Sequence, residues 1–224
     1  MTRTIKSILL IGVQFIFLIP VLAQKQDIPF ECRTDSTLIP SGSDELYFPS
    51  GTFSVVLEDL STNYDTDQAL NRWYSKNLSA FREPILFSDH SDKEIYRLML
   101  MNVYGSRVVI SLVKCGNSYM LSWKKRQIVQ EELPGPLIEN GYKMVDRIVW
   151  DKFCELLAEN KFWRLHTSEM EDGRDEQQWV LEGKSGKRYH VVDRWAPKRH
   201  TRFYNCCAYL INLTGMKNYN GKLY

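Results

Sequence analysis

The chain has 224 residues, of which 44% are hydrophobic and 25% are charged, with a formal net charge of +2. This length allows one domain with a substantial core, either as a single unit or as two small halves packed together. Removing Arg3 and Lys6, which belong to the export signal considered next, leaves 27 of the 29 basic residues against 27 acidic ones. The remaining chain therefore has no excess charge that would attract nucleic acid or an anionic membrane.

Residues 1–23 have the pattern of a secretory signal peptide. A positively charged start precedes an apolar stretch over residues 8–22, and the small residue Ala23 is followed by Gln24. The apolar stretch is about 15 residues long and includes Pro20, whereas a membrane-spanning helix needs about 20 apolar residues. We therefore expect an exported chain, periplasmic or secreted, that begins at Gln24 and has no later transmembrane segment. An uncleaved membrane anchor is the alternative.

The cysteine pattern predicts neither a disulfide framework nor a metal site. The five cysteines are Cys32, Cys115, Cys154, Cys206 and Cys207. Export permits disulfides, but an odd count without regular spacing leaves the pairing open. Cys154 lies in an apolar helical pattern typical of a buried thiol, and Cys206 and Cys207 point about 100° apart on a helix, which disfavours a bond between them. No Cys-x-x-Cys or His-x-x-x-His spacing occurs, so no metal ion or cofactor is predicted.

The first half of the chain predicts a helix followed by a sheet. Residues 24–66 are rich in Pro, Ser, Gly and Asp and are expected to form an extended N-terminal segment, with one short strand around Phe53–Leu57. From Asp67, apolar residues recur every three or four positions, which predicts an amphipathic helix of about four turns. A loop containing Pro134-Gly135-Pro136 is expected to separate the two halves.

Three apolar stretches joined by short turns follow the first helix, at Glu94–Val103, Arg107–Val113 and Ser118–Lys124. Strands with such short connections form an antiparallel meander. Both faces of the first strand are mostly apolar, so part of this sheet is expected to be covered on both sides.

The second half predicts a helix, a β-hairpin and a last helix. The first helix has Asp146 as a candidate cap and Asn160 as a candidate end, the hairpin spans Trp179–Pro197, and the last helix spans about Thr201–Leu213. These amphipathic elements are expected to bury one shared cluster: Trp150, Phe153, Leu157, Trp179, Leu181 and Leu210.

The order of elements predicts an α+β fold of two layers, with an antiparallel meander, a β-hairpin and about three amphipathic helices. We expect a single domain over residues 67–224, with halves at about 67–132 and 141–214.

Several motifs of the second half resemble a family of uncharacterised exported bacterial proteins. The motifs are Trp-x-x-Phe-x-x-Leu-Leu from Trp150, Phe162-Trp163, Trp-x-Leu-Glu-Gly over Trp179–Gly183, and Tyr-His-x-Val-x-Arg-Trp-x-Pro over Tyr189–Pro197. In the first half, Glu83–Leu86 and Ile95–Arg97 are also similar, so that the resemblance covers about residues 70–213. Ala196 departs from the serine expected there, and the Cys206-Cys207 pair is not part of the pattern. The resemblance implies a discrete exported domain and brings no known activity, substrate or catalytic residue.

The hairpin has the side chains that a hydrolase would use. Glu182 could orient His190 as a general base, and Glu182 with Asp193 could form a glycosidase pair. The second pairing is disfavoured because the expected separation of about 13 Å exceeds the ~5 to 9.5 Å that glycosidases use. Tyr189, Arg194 and Trp195 are candidates for ligand binding. The competing interpretation is a buried scaffold whose polar groups satisfy one another.

These interpretations differ in whether Glu182 and His190 lie on the same face of the hairpin. A loop of Ser185-Gly186, or of residues 183–186, has an even length, and either loop would place Glu182 and His190 on opposite faces. A loop of three or five residues with a bulge would bring them together.

We therefore expect a non-enzymatic exported domain that binds an envelope protein or an apolar or carbohydrate ligand, and not nucleic acid. The alternative is a small hydrolase that uses Glu182, His190 and Asp193. If the hairpin is a scaffold, the surface of the first-half meander becomes the place to search for function. The ligand, the disulfide state and the oligomeric state stay open.

Overall fold

The computed structural model describes residues 27–42, 44–54, 64–102, 106–130, 133–169 and 177–216. Two predictions fall wholly or mostly outside these residues: the signal peptide at 1–23 and the short strand around Phe53–Leu57. The described part of the N-terminal segment contains two single-turn 3-10 helices, Phe30–Cys32 and Ser36–Leu38. A third such turn, Phe162–Arg164, follows the second α-helix.

Six strands form one antiparallel sheet in the order β4-β3-β2-β1-β5-β6. The strands are β1 Glu94–Met101, β2 Ser106–Cys115, β3 Ser118–Gln130, β4 Leu133–Met144, β5 Gln178–Ser185 and β6 Arg188–Trp195. The meander and the hairpin join because β5 pairs with β1, which places Glu182 opposite Arg97. The two predicted halves therefore share a single sheet.

Strand β4 occupies the region that was expected to be a loop. Proline is disfavoured in central strands because it lacks the amide hydrogen that the hydrogen bonds of a sheet need. Here β4 is an edge strand, and its pairing with β3 is irregular, with register shifts between Lys125 and Gln130. The Pro134-Gly135-Pro136 sequence is tolerated at this irregular edge, so the expectation of a loop is wrong.

The α-helices of the described residues are α1 Tyr64–Ala80, α2 Arg147–Glu159 and α3 Arg202–Thr214. Helix α2 lies between Asp146 and Asn160, as the sequence predicts, although the Asp146 side chain makes no capping hydrogen bond. Thr201 caps α3 by accepting a hydrogen bond from the backbone N–H of Tyr204. Helix α1 begins before Asp67, the residue from which the sequence predicts it. The buried Asp67 carboxylate accepts hydrogen bonds from the backbone N–H groups of Gly51 and Phe53 in the preceding segment.

Helices cover both faces of the sheet. Helices α2 and α3 pack on one face in a cluster that contains all six residues predicted to share a core. Helix α1 packs on the other face together with three buried aromatic residues of the N-terminal segment, Tyr47, Phe48 and Phe53. The α+β class is confirmed, whereas the expectation of two layers is wrong: β1 is mostly apolar on both faces and lies in the middle of three layers.

A disulfide ties the N-terminal segment to the sheet. Cys32 pairs with Cys115 at the end of β2, with a Cα–Cα distance of 5.2 Å that is usual for disulfides. We call residues 28–38, which run over the sheet on either side of this bond, the strap. The strap is also held by a hydrogen bond of 2.8 Å from the Ile85 N–H to the Leu38 carbonyl. Cys154, Cys206 and Cys207 are free thiols.

Candidate functional site

The hairpin register confirms the predicted faces, although the loop differs from both that were considered. Ser185 pairs with Arg188, so the loop is Gly186-Lys187. Gly186 has a φ of +58°, a left-handed value that glycine adopts without strain in tight two-residue turns. The loop still has an even length. Glu182 therefore faces α1, whereas His190 faces the layer that contains α2 and α3.

Glu182 is held in a buried polar network. Its Oε2 accepts hydrogen bonds from Arg97, one of them at 2.8 Å from Nε, and its Oε1 accepts one of 2.8 Å from the Tyr189 hydroxyl. Both Glu182 and Arg97 are at most 2% exposed. Burial raises the pKa of Glu182, and the Arg97 guanidinium opposes this rise by favouring the ionised carboxylate. The carboxylate is therefore committed to neighbours within the protein.

Asp193 lies on the same face as Glu182 but has its own partners. The register places Glu182 opposite Val191, so Asp193 is its diagonal neighbour at about 7–8 Å between Cα atoms. The expected separation of about 13 Å is wrong. Asp193 accepts hydrogen bonds from the Tyr74 hydroxyl at 2.8 Å and from the Gln178 amide. Burial raises its pKa to about 6. Both carboxylates are buried, so their proximity does not give a substrate access to them.

His190 packs among aromatic rings on the opposite face. Its ring centroid lies 5.2 Å from that of Phe162 and 6.5 Å from that of Trp163. Burial lowers the pKa of His190, with a hydrogen bond to the Leu165 backbone acting in the other direction. Its Nε2 has no hydrogen-bond partner among the described residues. The structure does not bring His190 and Glu182 together as a base and its orienting carboxylate.

The three binding candidates do not form one surface. Tyr189 belongs to the Glu182 network. Arg194 donates hydrogen bonds of 2.9 Å to the His166 and Thr167 carbonyls and one of 2.7 Å to the Glu169 carboxylate, which fastens that segment to β6. Trp195 is partly buried, and its Nε1 has no hydrogen-bond partner in the described part of the chain.

A cavity of about 650 Å³ lies on the meander, on the same face as Glu182. The strap forms one wall, residues 82–93 form another, and strands β1 to β4 form the floor. We call this space the meander cavity. It was not predicted as a pocket, because its walls come from chain segments far apart in sequence and are brought together by the disulfide and the sheet.

The floor of the meander cavity has an apolar row next to a polar row. Ile95, Val113 and Met120 are consecutive cross-strand partners, and so are Arg97, Ser111 and Ser122. The two rows are two residues apart along each strand, which corresponds to about 7 Å. The serine hydroxyls have no hydrogen-bond partner among the described residues. In the sequence, the signal for this polar row is a serine between two apolar residues in each strand, in Ile110-Ser111-Leu112 and Leu121-Ser122-Trp123.

The charges at the polar end of the cavity are paired. Lys124 Nζ donates hydrogen bonds to Glu83 Oε1 at 2.7 Å and to the Phe81 carbonyl at 2.8 Å. Arg97 Nη1 donates to the Pro84 carbonyl at 2.7 Å and lies 3.7 Å from Glu83 Oε2. A continuous chain of ion pairs therefore connects the cavity floor with Glu182.

The hairpin supports the second wall of the cavity. Lys184 is 2% exposed and donates hydrogen bonds to the carbonyls of Ser91 and Lys93, the latter at 3.0 Å. Its Nζ also lies 3.6 Å from Asp89 Oδ1. The polar side chains of the hairpin thus hold residues 89–93 in place beside the meander.

No model of a known protein family matches the chain, and no curated protein is significantly similar to it. The resemblance to exported bacterial proteins stays a prediction. Within the described ranges, no three His, Cys, Asp or Glu side chains form a group that could hold a metal ion. None of the helices in that part of the chain combines the length and the apolar character needed to cross a bilayer.

Proposed function

We propose that this protein is a non-enzymatic exported domain that binds a small ligand in the meander cavity. The observation that carries the proposal is the cavity itself, with its volume of about 650 Å³ and its mixed apolar and polar floor. Small-molecule sites in proteins usually enclose about 300–1,000 Å³ and combine apolar walls with a few placed polar groups. The meander cavity has both properties.

The arrangement of reactive groups favours binding over catalysis. Ser111, a possible nucleophile in the cavity, lies between Arg97 and Ser122 in the sheet. An arginine cannot accept the proton that a serine nucleophile must lose. The hairpin candidates are buried or lie on the opposite face, so the hydrolase alternative has less support.

Export is supported by two independent features. Residues 1–23 have the composition of a signal peptide. The Cys32–Cys115 disulfide is of a kind that forms and persists in oxidising compartments.

Binding of the neutral fluorescent dye N-phenyl-1-naphthylamine tests the cavity directly. We expect saturable fluorescence enhancement with the wild-type protein, because the dye becomes bright in apolar surroundings. Ser122→Phe places a ring on the cavity floor and should abolish the enhancement. Ser36→Phe makes the same change at an exposed strap residue outside the cavity lining and should leave it intact.

Both variants should keep the circular dichroism spectrum of the wild type, which confirms that they fold. A folded wild type that does not bind the dye, or a Ser122→Phe variant that binds it as well as the wild type does, contradicts the proposal.

A further inference from the structure

We infer that the ligand of the meander cavity is an uncharged amphiphile, with an alkyl chain on the apolar row and a hydroxyl-bearing head on the polar row. This inference rests on the proposed function and adds the chemical class of the ligand. It follows from three properties of the cavity. One end is apolar, the other end has unsatisfied hydrogen-bonding groups, and the charged side chains at that polar end are paired with one another.

The apolar end consists of side chains that offer a ligand no hydrogen bond. Ile95, Val113 and Met120 form the floor, and Leu86 and Ile28 pack against them from the two walls. Ile95, Val113 and Met120 are each 7% exposed, and this remaining surface adjoins the cavity. Apolar surface gains free energy when it is covered by another apolar group. A free sugar would leave this end without a partner, whereas an alkyl chain would cover it.

The polar end has hydrogen-bonding capacity that the protein does not use. The Ser111 and Ser122 hydroxyls can each donate one hydrogen bond and accept others. Arg97 has five N–H groups, of which three donate to Glu182 and Pro84. The other two N–H groups of this buried residue make no hydrogen bond to the described residues, although Nη1 lies 3.7 Å from the Glu83 carboxylate. A head with hydroxyl or ester oxygens can both accept from Arg97 and exchange hydrogen bonds with the serines.

The charge balance at the polar end excludes a charged head. Two cations, Arg97 and Lys124, contact two carboxylates, Glu83 and Glu182. An anionic head would compete with Glu83 for these cations, and a cationic head would be repelled by both of them. Desolvating an additional charge without a free counter-ion is costly. An uncharged head avoids this cost.

The remaining ionisable side chains of the lining do not change this balance. Asp35, Arg82 and His90 are exposed at the rim, where water screens their charges. Lys93 donates to the Arg33 carbonyl, and Asp89 lies beside the buried Lys184.

Competition against bound N-phenyl-1-naphthylamine distinguishes the ligand classes. The probes share one chain length: 1-monodecanoylglycerol, decanoate and decyltrimethylammonium, each below its micelle-forming concentration, with glycerol as the probe that lacks a chain. We expect monodecanoylglycerol to displace the dye at concentrations about tenfold or more below those of the charged probes, because a charged head leaves groups unpaired. Glycerol should not displace it. Equal or stronger displacement by a charged probe, or displacement by glycerol, overturns the inference.

Two serine substitutions test the polar row separately from the cavity. In the double variant Ser111→Ala and Ser122→Ala, we expect the affinity for monodecanoylglycerol to fall about tenfold more than the affinity for the dye. The head of monodecanoylglycerol loses both hydroxyl partners, whereas the dye has no hydroxylated head. Ser36→Ala is the matched control and should change neither value. Undiminished binding of monodecanoylglycerol by the double variant contradicts the placement of the head.

The dye experiments distinguish failure of the ligand class from failure of the proposed function. Dye binding without preference for the uncharged amphiphile overturns the ligand class and leaves the proposed function in place. Absence of dye binding by the folded wild-type protein removes the proposed function as well.

Discussion

Asp193 is a buried carboxyl group whose protonation should affect stability. Its pKa is raised from 3.8 to about 6, which corresponds to about 3 kcal/mol at ~1.4 kcal/mol per unit. Because the folded-state pKa is raised, the protonated form favours folding below about pH 4. This stability is lost as the pH rises from about 4 to about 6.

We expect Asp193→Asn to flatten the dependence of the unfolding free energy on pH in this window, since the amide does not titrate. Its oxygen can accept from Gln178 and its nitrogen can donate to the Tyr74 hydroxyl. Urea unfolding of the variant, the wild type and the exposed control Asp92→Asn at pH 4 and pH 7 measures the effect. An Asp193→Asn variant with the pH dependence of the wild type contradicts the buried titration.

Gly183 is required by close packing rather than by backbone conformation. A Cβ atom at this position would lie 2.7 Å from a ring carbon of Phe162 and 3.0 Å from ring carbons of Tyr96. Both rings are buried and have little room to move. We expect Gly183→Ala to lower the unfolding free energy by about 1–3 kcal/mol, the usual cost of overpacking. Gly42→Ala, where a Cβ would meet nothing within 4 Å, is the control, and equal stabilities of the two variants would disprove the packing argument.

The strap depends on the disulfide. The bond closes a loop over a sequence separation of 83 residues, and loss of such a bond typically costs about 2–5 kcal/mol. The double variant Cys32→Ser and Cys115→Ser should therefore be less stable in denaturant and should bind N-phenyl-1-naphthylamine more weakly, because the strap is a cavity wall. Cys154→Ser leaves the bond intact and is the reference. Unchanged stability and dye binding in the double variant would show that packing alone fixes the strap.

Elements with local signals were predicted well, and elements that depend on distant partners were not. The two ends of α2, at Asp146 and Asn160, follow from residue spacing within one short segment. The faces of the hairpin follow from spacing in the same way. Strand β4 was missed because proline and glycine normally indicate a loop, and its edge position is visible only once β3 is in place. Glu182 was recognised as unusual, but its partner Arg97 is 85 residues away. The cavity was likewise not predictable, since the Cys32–Cys115 pairing had no sequence signature.

The proposal of export predicts the amino terminus of the mature protein. Protein recovered from its native host should begin at Gln24 in amino-terminal sequencing, because the signal pattern ends at Ala23. The recovered protein should also carry an oxidised Cys32–Cys115 pair. Recovery of chains that retain Met1 in a membrane fraction would argue for an uncleaved anchor.

The two ends of the sheet influence how the protein behaves when it is concentrated. Exposed edge strands can template fibrils, and proline blocks this growth because it lacks an amide hydrogen. Strand β4 presents the partly exposed Leu137 and Ile138 next to Pro134 and Pro136. At the opposite edge, the Thr167 carbonyl already accepts a hydrogen bond from the backbone of β6.

We therefore expect the double variant Pro134→Thr and Pro136→Thr to form thioflavin-positive fibrils at concentrations at which the wild type stays dispersed. Equal behaviour of the two proteins would mean that the prolines do not protect this edge. Pro134 and Pro136, which made β4 look like a loop in the sequence, would then have no effect on solubility. If fibrils do form, the Pro-Gly-Pro sequence prevents polymerisation at the exposed edge of β4, the strand that borders the cavity.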